Sequence, residues 1–271
     1  MRKRKGFQAV IPKIIHYCWL SSDPFPAEIA GWIGTWRTNL PDYELMLWDR
    51  KRFPLEQAVW VKEAFESRKY AFAADYIRLH ALYEYGGIYL DSDVEVRRPF
   101  GELLDRPFLL GYERNGSIEG GIMGAEPHAS WVKACLDHYR GRHFIREDGT
   151  LEMTELPKIL DARLTEFGMD RSLILPWDYL TACSPHIEPQ VTENTRTIHH
   201  FYGGWLDAFR RSDLLKLGSY HLVKVKKRIK RVDFTSPDYP RMFKSDEKRI
   251  FSVQVSPWKT LVLLKKTGRP S

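Results

Sequence analysis

Tyr-Ala-Phe-Ala-Ala-Asp-Tyr-Ile-Arg-Leu-His-Ala-Leu-Tyr-Glu-Tyr-Gly-Gly-Ile-Tyr-Leu-Asp-Ser-Asp occupies residues 70–93 of the 271-residue chain. The first sixteen residues are apolar nearly all round, which predicts a buried helix. Gly86 and Gly87 suit the end of that helix, because many helices finish with a residue in the left-handed conformation. Ile88, Tyr89 and Leu90 then form a short β-type run. The segment therefore predicts a buried helix, a glycine stop and a strand that leads directly into two carboxylates.

Charged residues inside this apolar segment are candidate functional groups. Asp75 and Arg78 lie three residues apart and share one face of the predicted helix. An unpaired buried charge is costly, so we expect these two to be paired or functional. Asp91 and Asp93 follow the strand, where alternate residues face the same way. Oxygen ligands of this kind suit a divalent cation such as Mg²⁺ or Mn²⁺.

Strands and helices alternate along the chain, which predicts an α/β sheet. We predict strands at 11–20, 43–48, 88–96, 107–112, 171–175 and 195–200, a glycine-rich segment at 117–125, and helices at 28–38, 55–67, 70–85, 129–139 and 152–166. Glycines within a strand indicate close approach by a ligand or by another backbone. In open sheets of this class, ligands bind at the carboxyl ends of strands. Trp19, Asp91, Asp93 and the pair His199–His200 all fall at such ends, which predicts one common site.

Charge is unevenly distributed between the body of the chain and its ends. Residues 220–271 carry 14 basic and 4 acidic residues, whereas residues 6–219 have a net charge of −7. Basic residues beside apolar ones are typical of a segment at a membrane interface; a solvated, poorly ordered tail is the alternative. We predict a globular domain at 1–219 and a basic extension at 220–271 that tethers the protein to an anionic membrane surface. Nucleic acid is not an expected partner, because the charge is concentrated in the ends rather than across a folded face.

The cysteines and the hydropathy pattern bear on location. Cys18, Cys135 and Cys183 are odd in number and widely spaced, which favours reduced thiols and a cytosolic site. No apolar run approaches 18 residues, so we expect no membrane span. The first residues lack the pattern of a signal peptide.

Two enzyme classes place paired carboxylates after an apolar strand. Phosphatases of the haloacid dehalogenase type use the first Asp as a nucleophile, and the run from Leu90 to Glu95 does not forbid Asp91 in that role. That chemistry also needs a second acidic cluster such as Gly-Asp-x-x-x-Asp, and none appears after residue 94. In nucleotide-sugar glycosyltransferases, a metal at the carboxylates stabilises the leaving nucleotide. Trp19 can then stack on the base, Asp75 can accept hydrogen bonds from sugar hydroxyls, and Arg78 offers a planar fork to a phosphate or carboxylate.

The runs at residues 11–19 (Ile-Pro-Lys-Ile-Ile-His-Tyr-Cys-Trp) and 73–93 resemble the glycosyltransferases with a DXD sugar-binding region. That family, similar to glycosyltransferase family 32, includes capsular polysaccharide and α-mannosyl transferases and is distantly similar to the clostridial glucosylating toxins. The resemblance covers about residues 10 to 205. It implies a GT-A-type, Rossmann-like mixed sheet flanked by helices. It also implies a retaining transfer from a UDP- or GDP-sugar with Mn²⁺ or Mg²⁺.

The same resemblance assigns roles within residues 70–93. It implies that Asp75 and Arg78 hold the donor sugar, and that Tyr89 is the aromatic residue that precedes the DXD motif. Asp91 corresponds to the carboxylate near the ribose and the sugar, and it also belongs to the expected metal set. Asp93 corresponds to the direct metal ligand.

Residues outside that segment also match the family. Trp19 corresponds to the base-stacking Trp, and Trp205 to the Trp of a closing loop. His199 and His200 correspond to a late His pair near the metal and the diphosphate. We assign His199 to the donor and His200 to the metal. Gly204 departs from the pattern, because the family usually has Ser before that Trp.

Glu119 is a second departure, because an Asn is common at this place in the family. It predicts an altered choice of acceptor or donor. The expected partners are a nucleotide sugar and a glycan acceptor, either free or lipid-linked, as in capsule or other surface polysaccharide synthesis. The expected location is cytoplasmic, with peripheral attachment to the inner face of the plasma membrane.

Overall fold

The structure is a computed structural model that describes residues 11–182, 189–202, 209–217, 220–227, 247–256 and 259–266. The chain forms two compact units, Met1–Phe201 and Tyr202–Ser271. In the first unit the strands are β1 (Ile14–Cys18), β2 (Glu44–Trp48), β3 (Gly87–Leu90), β4 (Val94–Val96), β5 (Ile122–Ala125) and β6 (Thr197–His199). Its helices are α1 (Ala27–Asn39), α2 (Val59–Glu66), α3 (Tyr70–Tyr85), α4 (Ser130–Leu136), α5 (Leu156–Phe167) and α6 (Trp177–Leu180).

The main sheet of the first unit has four strands in the order β2-β1-β3-β5. Strand β1 is parallel to β2 and β3, and β5 is antiparallel to β3. A separate two-stranded ladder joins β4 to β6. This arrangement confirms the predicted α/β class and the mixed sheet flanked by helices.

Helix α3 is buried along most of its length, as its composition predicts. Phe72, Ala73, Ile77, Leu79 and Leu82 are all at most 4% exposed. The helix ends at Gly86 with φ 64°, and Gly87 follows with φ 94°. A side chain at Gly87 would place its Cβ 2.7 Å from the carbonyl oxygen of Ile14, so glycine lets β3 approach β1 closely.

The predicted strand at 88–96 is interrupted at the carboxylates. Residues 91–93 form a turn in which the Val94 N–H donates to the Asp91 carbonyl over 3.0 Å. Strand β4 then leaves the main sheet and pairs with β6. A short apolar run predicts a strand by composition alone, whereas the change of partner depends on contacts with residues a hundred positions away.

Two other predicted strands are wrong. Residues 107–112 make isolated bridges, Leu109 with Gly124 and Gly111 with Leu175, rather than a regular strand. Residues 171–173 form a 3-10 turn, because the Asp170 side chain accepts the Ser172 N–H and starts that turn.

The described residues of the second unit form a four-stranded antiparallel sheet rather than an unstructured tail. Its strands are β7 (Phe209–Leu217), β8 (Tyr220–Lys227), β9 (Glu247–Ser256) and β10 (Lys259–Lys266), in the order β7-β8-β10-β9. Strand β7 pairs with β8, so the unit includes residues before the predicted boundary at 219/220. The alternation of Val and Lys at 223–226 is the period-two pattern of a strand. Across the described parts of both units, every helix is too short or too polar to span a bilayer.

Candidate active site

The parallel strands bring several predicted residues to one edge of the sheet. Strands β1 and β3 end at Cys18 and Leu90, so Trp19 and Asp91 leave the sheet at the same edge. Trp19 is half-buried: its ring lies 4.8 Å from that of Phe25, and its indole N–H donates to the Asp23 carbonyl over 2.8 Å. The structure therefore places this Trp at the edge where the carboxylates lie.

Arg78 connects the buried helix to the carboxylates. Its guanidinium Nη2 lies 3.0 Å from Asp75 Oδ1 and 3.3 Å from Asp91 Oδ1. Nη1 also donates to the Gly120 carbonyl over 2.6 Å. Asp75 and Arg78 are 7% and 5% exposed, so this ion pair is buried. The two charges on α3 are thus paired with each other, and the pairing extends to Asp91.

Tyr89 completes the support of Asp91. Its hydroxyl donates to Asp91 Oδ1 over 3.0 Å, and the Arg78 guanidinium lies over its ring at 4.6 Å. Burial raises the pKa of the Tyr89 phenol well above its ordinary value, so the hydroxyl keeps its proton and remains a donor. One carboxylate oxygen therefore has two donors that hold its orientation.

Burial also acts on the acids themselves. It raises the pKa of Asp75 to about 7, against the opposing effect of Arg78. Burial likewise raises the pKa of Asp91, and Asp93 adds to this by repulsion. A cation at these carboxylates would favour their ionised forms.

Asp91, Asp93 and His199 form a group with metal-ligand geometry. Each offers one ligand atom, and these atoms all lie within 4.8 Å of one another. His199 Nε2 lies 3.3 Å from Asp93 Oδ1, and Nδ1 lies 3.1 Å from Glu119 Oε2. The two carboxylates suit Mn²⁺ or Mg²⁺, and the imidazole adds one nitrogen ligand to them. A carboxylate that accepts the Nδ1–H leaves Nε2 available as a ligand, so the residues present fit the predicted ion.

The charge on His199 follows from its neighbours. Burial alone would lower the pKa of His199, but Glu119 and Asp93 raise it well above its usual value. The protonated ring then lies between two carboxylates, and a divalent cation would compete with the proton on Nε2. The ring of Phe201 stacks on the imidazole at 4.1 Å and covers its face.

His200 is not a member of this group, and its assignment as the metal-binding histidine stays a prediction. Its Nε2 lies 2.9 Å from Glu95 Oε2, and its ring stacks on Trp32 at 4.4 Å. His199 is the last residue of β6, whereas His200 follows the strand and its backbone N–H donates to the Asp93 carbonyl over 3.0 Å. The structure brings His199 to the predicted metal residues in place of His200.

Glu119 and the two glycines after it were only partly identified from sequence. Glu119 is 1% exposed and accepts hydrogen bonds from the Gly121 N–H at 2.6 Å and the Thr181 hydroxyl at 2.8 Å. A Cβ at Gly121 would lie 2.6 Å from Asp91 Oδ2 and 2.8 Å from His199 Cε1. The groups that approach Gly121 closely are therefore side chains, rather than the ligand or second backbone that the sequence predicted. Trp205 and Gly204 lie outside the described residues.

A family of known proteins matches a segment in the first half of the chain. Residues 26–109 match the model of a family described as "Glycosyltransferase sugar-binding region containing DXD motif". The matched segment contains α3, Tyr89 and the two carboxylates of the turn. The resemblance predicted from the sequence is confirmed over these residues.

Two curated relatives match up to half of the chain. "Inositol phosphoceramide mannosyltransferase 3" of Schizosaccharomyces pombe is 34% identical over 43% of this chain and 33% of its own length. "Mannosyl phosphorylinositol ceramide synthase SUR1" of Saccharomyces cerevisiae is 33% identical over 50% of this chain and 37% of its own length. The chain thus spans about a third of the length of these curated relatives. Among solved structures, "PaToxG Glycosyltransferase" superimposes with a TM-score of 0.44 at 19% identity, over 60% of this chain and 72% of that one.

Proposed function

We propose that this chain is a metal-dependent glycosyltransferase that moves a sugar from a nucleoside diphosphate sugar to a glycan or lipid-linked acceptor. The observation that carries the proposal is the buried Arg78, which joins Asp75 to Asp91 beside the group Asp91–Asp93–His199. A buried charge network at the carboxyl edge of a sheet suits a charged ligand better than it suits stability. The family match over residues 26–109 supports the sugar-binding role.

The donor sugar is assigned to Asp75 and Arg78. Asp75 is buried and faces Arg78 at 3.0 Å, so its remaining lone pairs are available for sugar hydroxyls. Arg78 uses both terminal nitrogens on Asp91, Asp75 and Gly120, and this holds its plane fixed. A preorganised pair of this kind orients a ligand without further ordering of the side chains. Trp19, at the same edge, is the candidate platform for the base.

The metal is assigned to Asp91, Asp93 and His199. Bound there, a divalent cation would neutralise the diphosphate leaving group as the glycosidic bond breaks. The protein supplies the orientation: Tyr89 and Arg78 hold Asp91, and Glu119 holds His199. Mn²⁺ and Mg²⁺ both suit this donor set.

The transferred unit is a hexose or an N-acetylhexosamine in this proposal. The relatives are named as mannosyltransferases that act on inositol phosphoceramide, which favours a mannosyl donor and a lipid-linked acceptor for this chain. Retention of configuration is proposed from the family resemblance. The phosphatase alternative has no support among these relatives.

A panel of UDP- and GDP-sugars tests the activity, with release of the nucleoside diphosphate measured in the presence of Mn²⁺ or after chelation. We expect release from at least one donor, loss of release on chelation, and a loss of about 100-fold or more in Asp93→Asn. Asp42→Asn is the matched control, because Asp42 is an exposed carboxylate that pairs with Lys13 on the surface. Full activity of Asp93→Asn, or activity that is unchanged by chelation, would contradict the proposal.

A further inference from the structure

The sheet of the second unit has one open apolar face. On the central strand β10, Thr260, Val262 and Leu264 are at most 2% exposed, whereas Leu261 and Leu263 point to the other side and are only partly buried. Residues directly opposite in an antiparallel pair share a face. Phe251 and Val253 of β9 and Leu222 of β8 lie opposite Leu263 or Leu261 and therefore share their face. Val255 is added to them because it lies two residues beyond Val253 on β9, at a shift in the register. We call this set of six side chains the open face.

The open face is exposed to a degree that is unusual for apolar side chains. Phe251, Val253 and Val255 are 51%, 49% and 52% exposed. Contiguous exposed apolar residues in a soluble domain indicate a surface for a partner or a membrane. Strand β9 is also an outer strand of the described sheet, so its side chains project from a border rather than from the centre.

Basic residues lie at both ends of the open face. Along β10, Lys259 and Lys265 bracket Leu261 and Leu263 on the same side of the strand, and both lysines are exposed. Tyr220 pairs with Lys265 in register, is 43% exposed, and lies under the Lys265 ammonium at 5.7 Å. An apolar centre, an amphipathic aromatic residue and flanking lysines are the features of side chains at a lipid–water interface.

The four strands together are strongly basic. They carry eleven Lys and Arg residues against Glu247 and Asp213, a net charge of +9. A second copy placed on the open face would bring Lys259 and Lys265 against the same positive surface. An anionic surface complements that charge, and each basic residue near such a surface contributes about 1 kcal/mol of attraction.

We propose that the open face docks on an anionic lipid membrane, with the apolar residues of β9 and β10 entering the headgroup region and Lys259 and Lys265 contacting lipid phosphates. The docking element is therefore a folded sheet rather than an unstructured tail. This placement goes beyond the proposed transfer reaction and does not depend on it.

Cosedimentation of the full chain with vesicles tests the proposal. Binding is compared between vesicles of phosphatidylcholine with about 30% phosphatidylserine, which have a strong negative surface potential, and vesicles of pure phosphatidylcholine. We expect binding to the anionic vesicles at least about tenfold stronger than to the neutral ones. Phe251→Glu and the double variant Lys259→Glu/Lys265→Glu should each weaken anionic binding by about tenfold or more.

Phe167→Glu is the matched control, because Phe167, at the end of α5 in the first unit, is 44% exposed, close to the 51% of Phe251. It should bind anionic vesicles as the unaltered protein does. Circular dichroism and the melting temperature verify that each variant is folded. Equal binding of Phe251→Glu and Phe167→Glu would overturn the proposal, as would equal binding to neutral and anionic vesicles. A dimer in light scattering that Phe251→Glu dissociates would assign the open face to a second copy instead.

Discussion

The two units of the chain treat charge in opposite ways. In the first unit, Asp75, Arg78, Glu119 and His199 are all at most 7% exposed, and each has an oppositely charged partner within 3.3 Å. In the second unit the charge of the strands is mainly positive and borders an open apolar face, with Lys259 and Lys265 exposed. Buried, compensated charge is sensitive to single changes, whereas exposed charge acts at long range and tolerates them. The candidate active site and the candidate docking surface therefore differ in whether their charged side chains are buried and paired, rather than in how many charges they carry.

The largest effect on stability is expected at Arg78. Arg78→Met leaves Asp75 and Asp91 without their shared cation in a buried site, and we expect a loss of about 3–5 kcal/mol in the free energy of unfolding. Urea unfolding at pH 7 measures it. Arg142→Met removes an exposed arginine and is expected to stay within about 0.5 kcal/mol. A loss below about 1 kcal/mol for Arg78→Met would show that the buried network tolerates the loss of one charge. The two units would then not differ in their response to single changes.

His16 gives a pH-dependent effect in the same unit. Its Nε2–H donates to the Gly86 carbonyl over 2.7 Å, its Nδ1 accepts from Trp48, and burial lowers its pKa from 6.5 to about 4. A depressed histidine pKa means that stability is present above pH 6.5 and is lost as the pH falls towards 4. The loss in the free energy of unfolding is about 3 kcal/mol, because each pKa unit corresponds to about 1.36 kcal/mol. Between pH 6.5 and 4, the free energy of unfolding of the His16→Gln variant should fall by less than that of the unaltered protein. Parallel plots of the free energy of unfolding against pH for the two proteins would contradict this account.

A change at Glu119 is expected to alter the affinity of the metal site. Glu119→Gln removes the carboxylate that holds Nδ1 of His199, and we expect Mn²⁺ to bind about 10-fold more weakly. Glu147→Gln, at an exposed position, should leave the affinity unchanged. Calorimetric titration of both variants provides the measurement. If both bind Mn²⁺ equally well, the contact between Glu119 and His199 has no part in metal binding.

The smallest effect on stability is expected in the second unit. Lys265→Gln removes an exposed charge, so the free energy of unfolding should change by less than about 0.5 kcal/mol. Thermal unfolding of the full chain checks this. A change as large as that of Arg78→Met would show that the lysine is part of a compensated network.

The fold of the first unit was largely predictable from its sequence, because its signals are local. The apolar helix at 70–85, the glycine stop and the short strand after it follow from periodicity and from backbone freedom at Gly86 and Gly87. The path beyond Asp93 was not predictable, since the transfer of β4 to a ladder with β6 depends on a partner a hundred residues away. In the second unit, the basic composition led to the prediction of a membrane tether. The alternation of Val and Lys at 223–226 is the pattern that indicates the strands.

In the candidate site, too, the residues that lie close together in the sequence were predictable, whereas contacts between distant residues were not. Asp75, Arg78, Asp91 and Asp93 follow from spacing within one helix and one turn. The choice between His199 and His200 did not follow, because the sequence does not show which imidazole faces the carboxylates. Glu119 was visible only as a departure from a family pattern, and its contact with the imidazole became clear from the fold.

The central claim is that Asp91, Asp93 and His199 together hold a divalent cation. Titration of Mn²⁺, with the free ion followed by electron paramagnetic resonance, tests it directly on the neighbouring pair of histidines. We expect His199→Asn to weaken Mn²⁺ binding by about tenfold or more and His200→Asn to leave it near that of the unaltered protein. Unchanged binding in His199→Asn, or a loss confined to His200→Asn, would contradict the account.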